Sequence, residues 1–402
     1  MLRFPLAVTI ILMSSLNAQT PAHKWAIVLH GGAGVIERKS MNPKLEADYR
    51  AALQTALQAG ADVLSKGGSS LDAVEKAITL MEDDPLFNAG RGAVFTADGK
   101  IELDSAIMDG ATLKAGSVAG ITRTRHPISL ARTVMEKSPH VMLIGSGADS
   151  FAADNHLEQV APSFFFTERR WQSLIKQLKE EGRPIPSRPP GVPPAPATPV
   201  ALLERPEAHK FGTVGVAAVD RAGNIAAGTS TGGTQAKRWG RVGDSPIIGA
   251  GTYASNTSCA VSATGAGEYF IRLTIAREVC ALVEYRGSKL QPAADEIIQK
   301  RLTAMKGDGG VIAITPDGRH IVYRVGPAGT QGSQLVVRSL DQLDARVLPG
   351  ISSIRSPFIS PDGHWIGFFE GEAGRRAEEG FDLGGPPIAL CHFTGNPLEA
   401  SW

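Results

Sequence analysis

With 402 residues, 43% of them hydrophobic, the chain can bury at least one large core, and its length leaves room for two or three units. Its 41 basic and 40 acidic side chains are interspersed for a net charge of +1, which leaves no basic stripe for nucleic acid and no charged tail. Aromatics are only 6% against 45 glycines, a balance that suits tight turns, argues against a base-stacking surface, and points to a small-molecule ligand.

The first residues, MLRFPLAVTIILMSSLNAQ, carry one Arg, an apolar run from Phe4 to Met13, and then small polar residues to Ala18. That run is too short to span a bilayer, so residues 1–18 read as a signal peptide cleaved after Ala18, with Leu16 an imperfect residue at the minus-three position. The expected location is therefore outside the cytoplasm, periplasmic or secreted. Nothing later is apolar enough to span, and no membrane partner is expected.

Trp25 to His30 (WAIVLH) reads as a buried strand running into the turn of Gly31 to Gly34. Apolar residues at three and four spacings predict helices over 45–64 and 70–81, the second capped by Ser70 and Asp72. Short strands are expected at 94–95 and 117–121, then a helix over 129–135, a strand at 141–145 and a polar helix near 167–181. Proline makes up about half of residues 184–199, so 182–208 reads as a linker that cannot build a core. Strands are then expected at 213–219, 224–229 and 257–263, and helices over 267–285 and 291–306.

From 315 to 402, TPDGRHIVYRV recurs about 45 residues later as SPDGHWIGFFE. A Pro-Asp-Gly turn before an alternating strand at that period is the mark of a propeller blade, and the segment resembles TolB-like propellers, although barely two units are present where about three are needed. The three cysteines, Cys259, Cys280 and Cys391, are an odd number without metal-ligand spacing. Export would permit a disulfide, but Cys259 and Cys280 lie in apolar patterns where a free thiol behaves as a small buried hydrophobe.

Thr213 follows a flexible Gly212 and an unfoldable linker, and it opens a buried strand. A precursor that cuts itself before Thr213 would free an α-amino group, of ordinary pKa near 8, beside the hydroxyl it has to deprotonate. No histidine is required. Gly228 to Gly232 also fits the G-x-S-x-G elbow of α/β-hydrolases around Ser230, but the polar, glycine-containing stretch after it cannot be the helix an elbow needs.

Several ordered motifs then accumulate: HGGAG at 30–34, PLFNAGRGAVF at 85–95, LDSAIMDG at 103–110, GTVG at 212–215, TSTGGTQAKRWGRVGDSP at 229–246 and SATGAGEYF at 262–270. Over about residues 25–315 the chain resembles the isoaspartyl peptidase and plant-type asparaginase family of N-terminal nucleophile hydrolases. The resemblance implies an α+β fold, a four-layer αββα sandwich, here with a small all-β extension at the C-terminus. It divides the chain into 19–212 and 213–314 as two subunits of one hydrolase, with 315–402 the blade-like extension.

Carried over residue by residue, the resemblance makes Thr213 the nucleophile, cut from Gly212, and Thr231 its hydroxyl partner. Thr264 and the backbone N–H of Gly265 form the oxyanion hole. Arg241 grips the substrate α-carboxylate and Asp244 its α-ammonium, with backbone contacts from Gly233 and Gly267. A guanidinium fork matches a carboxylate bidentately, which agrees with that assignment. The resemblance implies no cofactor for the chemistry, a structural sodium ion on the carbonyls of Met81, Glu82, Asp84, Phe87, Ala89 and Arg91, and a homodimer of αβ units.

The activity so implied is hydrolysis of isoaspartyl dipeptides and of the side-chain amide of asparagine. Glycosylasparaginase, the rival in the same superfamily, has Asp before the nucleophile and an Asn-Gly-Asp run after the oxyanion residues. This chain has Gly212 and Ala266-Gly267-Glu268 there. A non-catalytic binding protein built on the tail is the rival from another class, and the complete catalytic set argues against it.

Overall fold

The computed structural model describes residues 25–32, 43–195 and 212–316, together with strands within 320–391. The signal segment 1–18, the last two residues of HGGAG (33 and 34) and residues 196–211, which include the end of the linker, lie outside the described residues.

The elements in chain order are β1 (Ala26–His30), α1 (Pro43–Ser65), α2 (Ser70–Asp83), β2 (Leu103–Asp109), β3 (Ala115–Ile121), α3 (Pro127–Lys137), β4 (Met142–Ile144), α4 (Gly145–Asp154) and α5 (Glu168–Glu180). After the linker come β5 (Val214–Val219), β6 (Ile225–Thr231), β7 (Thr252–Ala254), β8 (Ala260–Gly265), α6 (Gly267–Leu273), α7 (Ile275–Arg286), α8 (Leu290–Asp295) and β9 (Gly309–Ile314). Beyond them, β10 (His320–Val325), β11 (Gln334–Ser339) and β12 (Arg346–Val347) form one antiparallel sheet. A second consists of β13 (Ile354–Ile359), β14 (Trp365–Glu370), β15 (Glu378–Asp382) and β16 (Ile388–Cys391).

A six-stranded sheet in the order β1-β5-β6-β2-β3-β4 carries the candidate nucleophile near its centre. Both central strands are buried at every position, and their sequences, VGVAAV and IAAGTST, are small and β-branched as such strands require. On this sheet α2 packs against β5 and β6, and α3 against β2 and β3. Their apolar faces, with Val74, Ile78, Ile128 and Val134, meet Val214, Val216 and Ile107 in one core. The three-stranded sheet β7-β8-β9 packs by β8 on β5 and β6 and is met by α7. Cys259, Val261, Ile275 and Val279 form its separate core.

Three expectations change. Val94 and Phe95 are irregular backbone beside an isolated bridge from Thr96 to Lys237, because the Asn88 side chain takes the Val94 N–H and the Ala236 N–H takes the Phe95 carbonyl in place of a strand ladder. The helix expected over 267–285 is two helices, broken at Thr274, whose φ of 46° is left-handed. Cys259 and Cys280 are joined as a disulfide: α7 crosses β8 so closely that their Cα atoms are 5.3 Å apart. Their apolar surroundings were real, but packing, not sequence spacing, makes them partners.

A cross-link closing 21 residues stabilises by about 3 kcal/mol, mainly by restricting the unfolded chain. Replacing both Cys259 and Cys280 by Ala is expected to lower unfolding free energy by about 2–4 kcal/mol in urea titration. An unchanged midpoint would show that the bond does not form in the protein.

Candidate active site

Val214 of β5 pairs with Ser230 of β6, so Thr213 stands opposite Thr231. The Thr213 hydroxyl donates to Thr231 Oγ1 at 2.9 Å, and the Gly233 N–H reaches the same oxygen at 3.0 Å. Thr213 is 8% exposed, enough for a small molecule to touch it from one side. Ser230 points the opposite way and donates to the buried Glu82 carboxylate at 2.6 Å. An elbow nucleophile needs an exposed hydroxyl, so Ser230 cannot serve as one.

Asn88, which the sequence reading passed over inside PLFNAGRGAVF, ties this corner together. Its backbone N–H donates to the Gly212 carbonyl at 3.3 Å, and its own carbonyl accepts from the Gly232 N–H at 3.0 Å. Its side chain accepts from the Val94 N–H and donates to the Gly233 carbonyl, both at 2.8 Å. A Cβ on Gly232 would lie 2.6 Å from Asn88 Oδ1, and one on Gly212 would lie 2.7 Å from Asn88 Cβ, so the Gly residues are needed for approach.

The charged residues converge beside this corner. A Cβ on Gly267 would sit 2.8 Å from Arg241 Nη2 and 2.9 Å from Asp244 Oδ1, and one on Gly233 would lie 3.5 Å from Arg241 Nη1. Arg241, Asp244, Gly233 and Gly267 therefore share one space, with Thr231 at its edge. Thr264 and Gly265 end β8 two or three residues before Gly267. There a Cβ on Gly265 would meet the Asp308 carbonyl at 2.5 Å.

Asp244 is buried, its Oδ2 has no hydrogen-bond partner, and burial pushes its carboxyl up to about 7 although Arg241 pulls it back. Arg241 itself is paired: Nε and Nη2 donate to the two carboxylate oxygens of Glu268 at 3.0 and 3.2 Å. That fork-to-carboxylate bond holds Glu268 below the usual carboxylate range. Glu268 is largely exposed, so it can swing away. The sequence gives neither Glu268 nor the buried Lys237 a role at the site, since a single Glu or Lys carries no pattern that names its partner.

Hydroxyls fill the space between the two sheets. Ser262 Oγ shares hydrogen bonds with Thr229 Oγ1 at 2.7 Å and with His30 Nε2 at 3.1 Å, and Thr252 donates to Thr229 at 2.7 Å. Burial lowers His30 to about 4, partly opposed by a backbone hydrogen bond with Thr213, so the ring is neutral. His30 thus makes the HGGAG segment informative, beyond the tight turn its glycines suggest.

The segment carrying Met81, Glu82, Asp84, Phe87, Ala89 and Arg91 winds back on itself. The Glu82 carbonyl accepts from the Arg91 N–H at 2.7 Å, and the Asp84 carbonyl from the Phe87 N–H at 3.2 Å. Gly92, at φ 104°, turns towards the Pro85 and Phe87 carbonyls, which would lie 2.5 and 2.8 Å from a Cβ there. Clustered carbonyl oxygens suit a hard cation. Among the described residues no group of three or more His, Cys, Asp or Glu could hold a metal ion.

The family model described as Asparaginase matches residues 23–326. An isoaspartyl peptidase of Salmonella typhimurium is 45% identical over 303 residues, covering 74% of this chain and 90% of the relative. That of Escherichia coli is 47% identical over 295 residues, 73% of this chain and 88% of its own. A plant-type L-asparaginase of Pyrococcus furiosus is 44% identical over 274 residues, 68% and 84% of the two chains. The family match reaches into the 315–402 segment as far as 326, and the likeness of that segment to propeller blades is not borne out.

Asn88→Ala removes both side-chain bonds and strands the Val94 N–H and the Gly233 carbonyl. Each buried orphan costs about 1–3 kcal/mol, so a loss of about 2–6 kcal/mol is expected in urea denaturation. Stability within 0.5 kcal/mol of wild type, a limit set by the roughly ±0.5 kcal/mol of an ordinary surface change, would refute the hub.

Proposed function

The chain belongs to the asparaginase family, and on that premise we propose that it hydrolyses β-aspartyl dipeptides and the side-chain amide of L-asparagine, releasing L-aspartate, with Thr213 as nucleophile. The observation that carries this is the Thr213 to Thr231 hydrogen bond, immediately after Gly212 and beside the Arg241 and Asp244 pair. Family membership makes the protein an N-terminal nucleophile hydrolase that needs no cofactor for its chemistry.

Self-cleavage between Gly212 and Thr213 frees the amine, which takes the hydroxyl proton as Thr213 Oγ attacks the side-chain carbonyl of the substrate. Thr264 and the Gly265 N–H receive the charge that develops on that oxygen, a role in which one donor is worth about a hundred- to a thousandfold in rate. The amine returns the proton to the leaving nitrogen, and water then hydrolyses the ester. Arg241 exchanges Glu268 for the substrate α-carboxylate, Asp244 takes the ammonium, and Gly233 and Gly267 leave room for both.

The contacts of α2 and α3 on the larger sheet, of β8 on its central strands, and of α7 on β8 support a four-layer αββα sandwich. The family match supports a hydrolase of subunits 19–212 and 213–314 that continues somewhat past 314, to 326. The rest of 315–402 is then a small all-β extension, in line with the antiparallel strands β11 to β16. The carbonyl cluster supports a sodium ion that would hold the 81–91 loop. Exposed Met142 and Ile144 on the edge strand β4, with Val141 just before it and a groove of about 400 Å³ lined by Leu143 and Phe151 beside it, support a homodimer of αβ units. The Cys259–Cys280 bond and the leader-like N-terminus support export, since disulfides persist in oxidising compartments.

Thr213→Ala is expected to stay one chain while wild type splits into about 19–212 and 213–402, as read by intact mass. Fully active enzyme with Thr213 still internal would refute the mechanism. Arg241→Ala should still split but raise KM for β-aspartyl dipeptides at least tenfold, because it leaves the α-carboxylate unpaired.

The pH dependence follows from Asp244. An ammonium binds its carboxylate form, which in the free enzyme is present above about 7 and is lost as pH falls through that value. So kcat/KM should rise with pH through about 7 in wild type. In Asp244→Asn that ionisation should be absent, leaving only the limb of the Thr213 amine. An identical profile in the two enzymes would remove Asp244 from the site.

A further inference from the structure

In the uncut chain the Thr213 nitrogen belongs to the Gly212–Thr213 peptide, so it cannot act as the base that the free amine later provides. Self-cleavage therefore needs another acceptor for the Thr213 proton.

Thr213, Thr231 and Asp104 form a row across β5, β6 and β2: Thr213 stands opposite Thr231, and Thr231 is the register partner of Asp104. Directly opposed residues place their Cβ atoms about 4.5–5.5 Å apart on one face of the sheet. Thr231 Oγ1 accepts from the Thr213 hydroxyl and from the Gly233 N–H. Both its lone pairs are thereby engaged, and what it has left is its own O–H to donate. Asp104 is fully buried; Oδ1 accepts the Gly120 N–H at 2.9 Å, while Oδ2 has no hydrogen-bond partner. Thr231, with a hydroxyl proton to give, thus stands in register with Asp104, one of whose buried carboxylate oxygens accepts no hydrogen bond.

Lys237 completes the arrangement. Its buried ammonium lies 4.0 Å from Asp104 Oδ2 and 3.8 Å from Glu102 Oε2, and donates to the Glu102 carbonyl at 3.1 Å. It would also come within 3.3 Å of a Cβ on Gly233, so it braces the turn that positions Thr231.

We propose that Asp104, held beside Lys237, accepts through Thr231 the proton that Thr213 loses when it attacks the Gly212 carbonyl during self-cleavage. This rests on the reading of Thr213 as the self-cleaving nucleophile. Thr213 Oγ bonds to the Gly212 carbonyl carbon as its proton passes to Thr231 and the Thr231 proton passes to Asp104. The carbon–nitrogen bond then breaks, and the proton returns by the same path to the Thr213 nitrogen. Water hydrolyses the resulting ester to the Gly212 carboxylate and the Thr213 hydroxyl, so no other reactant is needed. The Asn88 N–H already bound to the Gly212 carbonyl supports the charge on that oxygen.

Burial raises the Asp104 carboxyl above its ordinary value, which strengthens it as a base, while Lys237 and then Arg241 draw it back and Glu102 opposes them. Asp244 is the further carboxyl within electrostatic reach. His30, the other titratable group at Thr213, meets its backbone and Ser262.

The test follows conversion of freshly purified uncut chain to fragments by intact mass from about pH 4 to 9, with and without hydroxylamine. Asp104→Asn is isosteric and is expected to slow cleavage at least about a hundredfold, the usual scale of a lost general base. Hydroxylamine intercepts only an ester already formed, so it should not rescue that variant. Lys237→Gln should move the midpoint of the cleavage-rate profile upwards, because the ionised form of Asp104 loses its nearest cation. A purely structural role would leave that midpoint in place.

Asp104→Asn cut at the wild-type rate overturns the proposal. If that variant does not fold, an unmoved midpoint in Lys237→Gln, or a flat wild-type profile, overturns it. A wild-type chain that stays whole removes self-cleavage itself, and the proposal with it.

Discussion

The hydrogen bond from Thr213 to Thr231 joins two strands that are buried on both faces, and the rest of the site depends on the register that forms it. A slip of one residue would turn Ser230 towards Thr213 and Thr231 towards Glu82, because side chains alternate across a strand. The register is held by packing on both sides. A Cβ on Gly215 would come within 2.4 Å of His30 Nε2, and one on Gly228 within 2.7 Å of Val74, so only glycine fits either face there. Between the sheets the hydroxyls of Thr229, Ser262 and Thr252 find one another, and any slip would strand them where they are buried from solvent.

That constraint explains what could be read from the chain. The strands over 26–30, 115–121, 214–219 and 225–231 follow from runs of small and β-branched residues, and helices α1 and α2 from apolar spacing. LDSAIMDG is legible as a motif but not as the strand β2, because Asp104 and Ser105 interrupt the apolar, β-branched run that marks the other buried strands. Thr213, Thr231, Arg241 and Asp244 were named through the family likeness, and the fold brings them together around Gly233 and Gly267. Asn88, His30, Asp104, Lys237 and Glu268 were quoted inside motifs without a role. Their importance lies in partners 27 to 232 residues away along the chain, which spacing does not report. The Cys259–Cys280 pairing was missed for the same reason.

Two kinds of contact hold the site, and they answer differently to a ligand. Asn88 binds both neighbours of the Thr231 turn through backbone and side chain in a space closed to solvent, so it fixes geometry. The Arg241 to Glu268 pair is made by a side chain at the surface, where an exposed ion pair contributes at most about 1 kcal/mol. Breaking it costs little, and an incoming carboxylate restores the same fork. The rigid contact lies beside Thr213 and Thr231, and the exchangeable one lies at the exposed side of Arg241.

The balance of charge gives that exchange its direction. Two cations, Lys237 and Arg241, share the site with four carboxyl groups, those of Glu102, Asp104, Asp244 and Glu268. This surplus of acid adds to burial in driving Asp244 up to about 7. An α-amino acid that displaces Glu268 from Arg241 brings one carboxylate and one ammonium. The carboxylate replaces the one that left, and the ammonium supplies the positive charge that Asp244 lacks. A ligand with the carboxylate alone would renew the first contact and leave Asp244 Oδ2 unpartnered and buried, and a ligand with the amine alone would leave Glu268 in place. On the proposed reading, this balance of charge matches the site to the zwitterionic end of an amino acid and leaves for Thr213 whatever carbonyl that end presents.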